Sequence, residues 1–292
     1  TGKAVTTAAL AVLVDRGKTG WDDQVIDHLP DFAMYDPWVP REITIRDLLV
    51  HRSGLGLGEG DLLLVPRGSL SRAESVRRLR YLKPATSFRE GFAYDNVLYM
   101  VAGQLIEEVS GQTWEDFVQK NIFAAGGMRD GTTAKEVRLA NPNHAAPHAR
   151  MDGGLRGVGT QEPLPDGDEL GRNAAPAGGI AMSADDWTHW LAIQLGHGAL
   201  PDGGRLFSAA QGAEMWKPVT IQPIPAYPDA LKATAPNFKA YGLGWDVSDY
   251  RGVKILSHGG AVLGSQTIVA LLPDRDTGFA ISINSEDGWL LR

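Results

Sequence analysis

Segments with helical periodicity and segments with strand periodicity occupy opposite ends of this chain. From residue 4 to about 125, apolar residues recur at three- and four-residue spacing, which predicts helices at 4–16, 44–52, 71–82, 96–109 and 113–122. Another helix is expected at 184–196, with Ser183 as its N-cap and Asp185 and Asp186 in its first turn. Beyond residue 240 the pattern changes to short strands, at about 243–248, 253–257, 264–272 and 278–284, with a turn at 273–278 joining the last two. Helices first and strands last describe an α/β protein of the α+β type, with an antiparallel sheet flanked by helices beside a mostly helical lobe. The expected division is one domain over 1–292, its helical lobe at about 20–200 and its α/β lobe at 1–19 and about 201–292. The Gly-, Pro- and Asn-rich stretch 126–180 and the Pro-rich stretch 217–240 read as loops, and loops that long are usually functional or mobile.

The first helix carries the sharpest chemical signal. Val5, Ala8, Ala9, Val12 and Leu13 repeat at helical spacing, and Gly17 is a stop signal. Lys3 falls in its first turn, where burial and the positive end of the helix both favour the neutral amine. Thr1-Gly2-Lys3 reads as the end of a Ser-x-x-Lys motif whose serine would stand one position before Thr1. Residues three apart at a helix start share a face, so the amine could take the proton of a hydroxyl one turn earlier. Two other readings compete: a surface lysine near a chain terminus, and Thr1 as an N-terminal nucleophile with its own α-amine as base.

Two later segments suit the same chemistry. Tyr94-Asp95-Asn96 stands just before the helix expected at 96–109, so the Tyr94 hydroxyl could project into a cleft and relay a proton. Asn96 offers a donor and an acceptor to a substrate carbonyl or amide, or else simply caps the helix. His258-Gly259-Gly260-Ala261 follows a short apolar strand, where a glycine suits close approach by another molecule and a backbone N–H could stabilise an oxyanion. His258 would present its imidazole to the same cleft; a β-bulge with a structural histidine is the plainer alternative.

Ser-x-x-Lys, then Tyr-x-Asn about ninety residues on, then a Lys/His-x-Gly late in the chain resembles the order in the penicillin-recognising serine hydrolases. The stretch Ile43-Thr44-Ile45-Arg46-Asp47-Leu48-Leu49-Val50-His51-Arg52-Ser53-Gly54-Leu55 is similar to a signature of the class C β-lactamase-like family. So are 177–186, beginning Ala177-Gly178-Gly179, and Tyr241-Gly242-Leu243-Gly244-Trp245. The family also includes carboxylesterases and D-stereospecific peptidases. The resemblance implies an acylated serine before Thr1, with Lys3 and Tyr94 as the acid/base pair. It implies that Asn96 contacts the acyl side, that Gly259, Gly260 and Ala261 shape the oxyanion edge, and that His51 and Ser53 are structural. His258 stands where many relatives carry lysine. A histidine is only fractionally charged near neutral pH, which shifts the expectation towards a carboxylesterase on small esters with weak or no β-lactam hydrolysis. A D-amino-acid-specific peptidase, a penicillin-binding protein with slow deacylation and a non-catalytic relative are the alternatives. The family's sheet draws its first strands from before the nucleophile and its closing helix from the C-terminus. Only three or four strands are therefore expected here, with 287–292 beginning that helix in a longer polypeptide.

No cofactor is expected. His144, His148 and Asp152 have metal-like spacing, but Pro147 interrupts a helix that would align them, so 144–152 reads as a loop over the cleft. The glycines of 54–60 lack the Gly-Lys-Ser/Thr ending of a phosphate loop and read as a flexible loop near the site. The net charge is −7, and the one basic run, 72–80, reads as the solvated face of a helix, which argues against a nucleic-acid partner. No apolar run reaches the ~18–20 residues that span a bilayer. The absence of cysteine excludes disulfides and thiolate chemistry and leaves the compartment open. The expected partner is a small ester or amide. Trp187, Trp190, Trp216 and Trp245 could line an acyl pocket but are expected mainly in the core.

Overall fold

The computed structural model describes residues 1–65, 68–152, 154–165 and 170–288. Its helices in the first half are α1 (Gly2–Asp15), α2 (Val25–His28), α3 (Ile45–Leu49), α4 (Arg72–Arg78), α5 (Val97–Ser110) and α6 (Trp114–Val118). Then follow α7 (Lys135–Ala140), α8 (Ala175–Gly178), α9 (Ala184–Leu195) and α10 (Ala209–Met215). A small sheet holds β1 (His148–Asp152), β2 (Leu155–Arg156) and β3 (Thr160–Pro163), in the order β2-β1-β3. The main sheet holds β4 (Thr220–Ile221), β5 (Lys239–Tyr241), β6 (Asp246–Tyr250), β7 (Val253–Val262), β8 (Ser265–Leu272) and β9 (Thr277–Ile283). These six run in sequential antiparallel order.

Helix α1 is the axle of the molecule. Every residue from Gly2 to Leu13 is buried, including Lys3, Thr6 and Thr7. A helix apolar on all sides belongs in a core, and α1 is packed by α5, α6, α8 and α10. Its buried hydroxyls are matched: Thr6 donates to the Pro176 carbonyl at 2.7 Å and accepts from the Trp114 indole at 3.2 Å. Leu10 and Leu13 are almost fully buried, and each such side chain contributes about 1.5–3 kcal/mol. Trp187, Trp190, Trp216 and Trp245 are likewise buried in this core.

Several expectations need correcting. The main sheet has six strands, not three or four, because β4 and β5 come from the Pro-rich stretch 217–240. Proline is tolerated there because β4 is a two-residue edge strand and Pro223, Pro225, Pro228 and Pro236 fall between the strands. The expected loop 126–180 contains α7, α8 and the small sheet. Strand β1 docks beside the β7–β8 turn through the His148 N–H to Gly264 carbonyl bond at 3.0 Å, rather than forming a loop over the cleft. Arg72 is not on a solvated face. It is buried, donates to Glu115 at 2.8 Å and pairs with Glu107 on α5, while Arg77 and Arg78 pair with Glu74 outside. The helix expected at 287–292 falls mostly on 289–292, outside the described residues. Among the described residues no helix is long and apolar enough to cross a membrane.

Candidate active site

Lys3 Nζ lies within hydrogen-bonding distance of two side chains more than ninety residues away. It donates to the Tyr94 hydroxyl at 2.8 Å and to Asn96 Oδ1 at 2.8 Å. The first turn of α1 presents the amine, and the three residues before α5 present its two acceptors. Burial pushes the Lys3 amine down from its ordinary 10.5 to about 8, against an opposing pull from Asp95 and Asp61. At pH 7 roughly a tenth of the molecules then carry the free amine. Burial, with Asp95 adding to it, pushes the Tyr94 phenol above its usual range. Of this pair, Lys3 is therefore the group able to accept a proton near neutral pH, and Tyr94 is a neutral phenol able to pass one on.

Asn96 does not cap α5. Its side chain makes no cap bond; its acceptor oxygen faces Lys3 and its Nδ2 donates to Asp61, 3.2 Å from Oδ1 and 3.3 Å from Oδ2. The cap comes from Asp95, whose Oδ1 accepts from Leu98 N–H at 3.0 Å and whose Oδ2 accepts from the Ser53 hydroxyl at 3.0 Å. A buried carboxylate satisfied by a helix N-terminus and a hydroxyl locks the turn that carries Tyr94.

The sequence reading left His51 outside the site, and the structure places it directly behind Tyr94. The rings are 4.3 Å apart, centre to centre. The His51 carbonyl accepts from Ala93 N–H at 2.8 Å and its Nδ1 accepts from Asp95 N–H at 3.3 Å. One residue thus grips the chain on both sides of Tyr94. It does so from a left-handed backbone conformation, φ +54°, which also explains why α3 stops at Leu49 instead of reaching residue 52. A histidine at positive φ next to a tyrosine motif has no periodic signature; the sequence reading gave His51 and Ser53 only a structural role.

The sheet side departs from expectation. His258 does not present its imidazole to an open cleft: it is 5 % exposed, and its Nε2 lies 2.8 Å from the Tyr241 hydroxyl. Leu256, His258 and Gly260 share one face of β7, and Leu256 on that face is fully buried. Burial drives the His258 imidazole well below its ordinary range, so it is neutral. Gly260 abuts the start of α1, where a Cβ would come within 2.8 Å of the Thr1 backbone nitrogen. Gly259 and Ala261 lie on the opposite, exposed face.

The histidines of the 144–152 stretch bond locally. His144 Nδ1 and His148 Nδ1 lie 2.8 and 2.9 Å from the carbonyls of Asn141 and Ala146. Among the described residues no three His, Asp or Glu side chains gather as a metal site. The 54–60 loop, by contrast, leads directly into Asp61 at the site.

A family model described as Beta-lactamase matches residues 1–289. The chain is 30 % identical to penicillin-binding protein 4 of Amycolatopsis lactamdurans, over 97 % of this chain and 70 % of that protein. It is 29 % identical to unguisins hydrolase ungD' of Aspergillus campestris, over 96 % of this chain and 50 % of that protein, so it spans only about half the length of that relative. Among solved structures, a D-stereospecific amidohydrolase from Streptomyces sp. superposes with a TM-score of 0.74 at 22 % identity, over 97 % of this chain and 80 % of that one.

Proposed function

This chain belongs to the beta-lactamase family, and from that premise we propose that it is a serine hydrolase working through an acyl-enzyme. The observation that carries the reading is the Lys3 amine, buried, lowered to about 8, and bonded at 2.8 Å to both Tyr94 and Asn96. The nucleophile is a serine one position before Thr1, on the same helical face as Lys3. Its hydroxyl proton passes to the neutral Lys3 amine as its oxygen bonds to the acyl carbon. The proton returns through Lys3 and Tyr94 to the departing alcohol or amine as that bond breaks, and a water molecule then releases the acid by the reverse route. Backbone N–H groups of the nucleophile and of β7 near Gly260 and Ala261 hold the oxyanion.

The neutral, buried His258 offers no fixed cation to a β-lactam's carboxylate, which supports small esters and uncharged amides as substrates. A D-specific peptidase or a slowly deacylating penicillin-binding protein is the second reading, and the similarity to penicillin-binding protein 4 favours it. The deciding experiment is labelling of the full-length protein with a fluorophosphonate and peptide mapping, beside a deacylation time course for the acyl-enzyme formed from an activated ester. An adduct on the residue before Thr1 with rapid ester turnover is expected. Stable acylation selects the second reading, and no adduct there overturns both.

A further inference from the structure

A cavity of about 280 Å³ opens between the end of α2, helix α4 and the second half of α5. We infer that it binds a small organic cation with an apolar body, an aryl- or alkylammonium ion, at a site separate from the acyl-transfer chemistry. Gln104 and Glu108 form its α5 wall. They stand about two and three turns along the helix from Val97, which puts the cavity about 10–16 Å from the turn that carries Tyr94 and Asn96. None of Lys3, Tyr94, Asn96 and His258 lines it.

The apolar part of the cavity belongs to the core. Leu29 and Phe32 follow α2, and Val76 lines the same space from α4; Phe32 and Val76 are each 5 % exposed. Ala73, one turn before Val76, keeps the mouth open because it is exposed and carries only a methyl group. The volume is close to the lower bound of about 300 Å³ for small-molecule sites, which suits a single ring with a short chain. The Gln104 amide lies in the wall with its oxygen buried and, among the described residues, without a partner. Turning that oxygen towards a ligand N–H therefore breaks no bond in the protein and satisfies an acceptor that is costly to leave unpaired.

Charge decides the class of ligand. The two basic side chains of the lining are already matched. Arg77 donates to Glu74 at 2.7 and 3.1 Å, and His28 Nε2 lies 3.0 Å from the Thr19 hydroxyl and 3.2 Å from Asp23. The two remaining carboxylates of the lining, Asp31 and Glu108, are not: among the described residues neither forms an ion pair or a side-chain hydrogen bond. Arg80 bonds the Asp31 backbone carbonyl, at 3.2 Å, rather than the carboxylate. Two unmatched negative charges over an apolar floor complement a cation with an apolar body and repel an acid. The net charge of −7 adds a long-range pull in the same direction.

The test is calorimetric titration of the full-length protein with 2-phenylethylamine, protonated at neutral pH, beside its neutral twin 2-phenylethanol. The titration is repeated on fluorophosphonate-treated protein. A ligand of this size is expected to occupy one site with a Kd of about 0.1–1 mM, with or without the treatment. The alcohol should bind about 10-fold more weakly, through loss of a charge-assisted hydrogen bond. Glu108→Gln should weaken the amine by about the same factor and leave the alcohol as it was. Ala73→Trp should fill the mouth and abolish binding of both, with circular dichroism to confirm the fold; if it does not fold, Glu108→Gln and Asp31→Asn decide alone. No saturable binding, equal affinity for the two ligands, or amine binding unchanged in these variants overturns the inference. Amine binding that disappears on fluorophosphonate treatment belongs to the hydrolytic site and overturns it as well. Failure of the fluorophosphonate to label is a different result: it removes the hydrolase reading and leaves the variants to judge this one.

Discussion

The helical side and the β7 side of the candidate site are built from opposite materials. On the helical wall, Lys3, Tyr94, Asn96 and Asp61 bond to one another through side chains. The β7 side turns His258 inward to Tyr241 and leaves a glycine-lined backbone beside α1. The same degree of burial has different consequences on each wall. Lys3 stays at about 8, helped by Asp95 and Asp61, and remains usable near neutral pH. His258 has no carboxylate among the groups acting on it and is held neutral throughout the physiological range. The charges that accompany a buried titratable group thus decide whether it can still titrate near neutral pH.

The sharpest way to break this contrast is to remove Lys3. Lys3→Met should cut fluorophosphonate labelling and ester kcat/KM by about 10³–10⁴-fold, the upper part of the range for a general base. Tyr94→Phe should follow at about 10²–10³-fold, with the loss greater for amides than for activated esters, because the relay serves the leaving group. Retention of most of the ester turnover in either variant would sink the assignment.

The pH profile sharpens the comparison further. With Lys3 at about 8, ester kcat/KM should rise about tenfold per unit below pH 8 and flatten above it. The folded chain binds this proton less tightly than the unfolded chain. Lys3 therefore lowers stability most below pH 8, and that cost disappears as pH rises from about 8 to 10.5. A rate profile governed by an ionisation near 6 would instead point to a histidine.

Smaller effects are expected from the two histidines. His51→Ala leaves a space behind Tyr94 and removes an acceptor from Asp95 N–H, for an expected cost of about 2–4 kcal/mol in unfolding free energy. Turnover should fall about tenfold as Tyr94 loosens, and denaturant titration beside ester kinetics would separate the two losses. His258→Gln should change kcat/KM by less than about tenfold and cost about 1 kcal/mol, the net worth of its bond to Tyr241. A collapse in turnover matching that of Lys3→Met would mean that the sheet wall is chemical after all.

The legible parts of the fold were those whose pattern matched their burial. Helices α1 and α5 fall close to the predicted spans because both are rich in buried apolar residues, and β8 and β9 match theirs, whereas β7 begins where expected and runs on to Val262, five residues past the predicted end. Strand β3 was invisible because its residues are almost all exposed, and β4 and β5 because they are short and set among prolines. Side-chain direction was legible only in part. Lys3, Tyr94 and Asn96 converge, but His258 shares its face of β7 with the buried Leu256, a parity that depends on where the strand begins to pair. The positions of His51 and Asp61 depend on left-handed residues, His51 itself and Gly60, which leave no periodic trace.

Helix α1 is buried on every side, whereas Asp61 lies between Leu57 and Leu62, which are 80 % and 88 % exposed. Under mutation the two regions are therefore unequal. A change of size almost anywhere on α1 disturbs packing, while Leu57 and Leu62 can be exchanged with little cost to the core. Sequence change can thus accumulate at Leu57 and Leu62 while the Lys3–Tyr94 bond stays as it is, so a substitution library at these two positions should leave most variants folded.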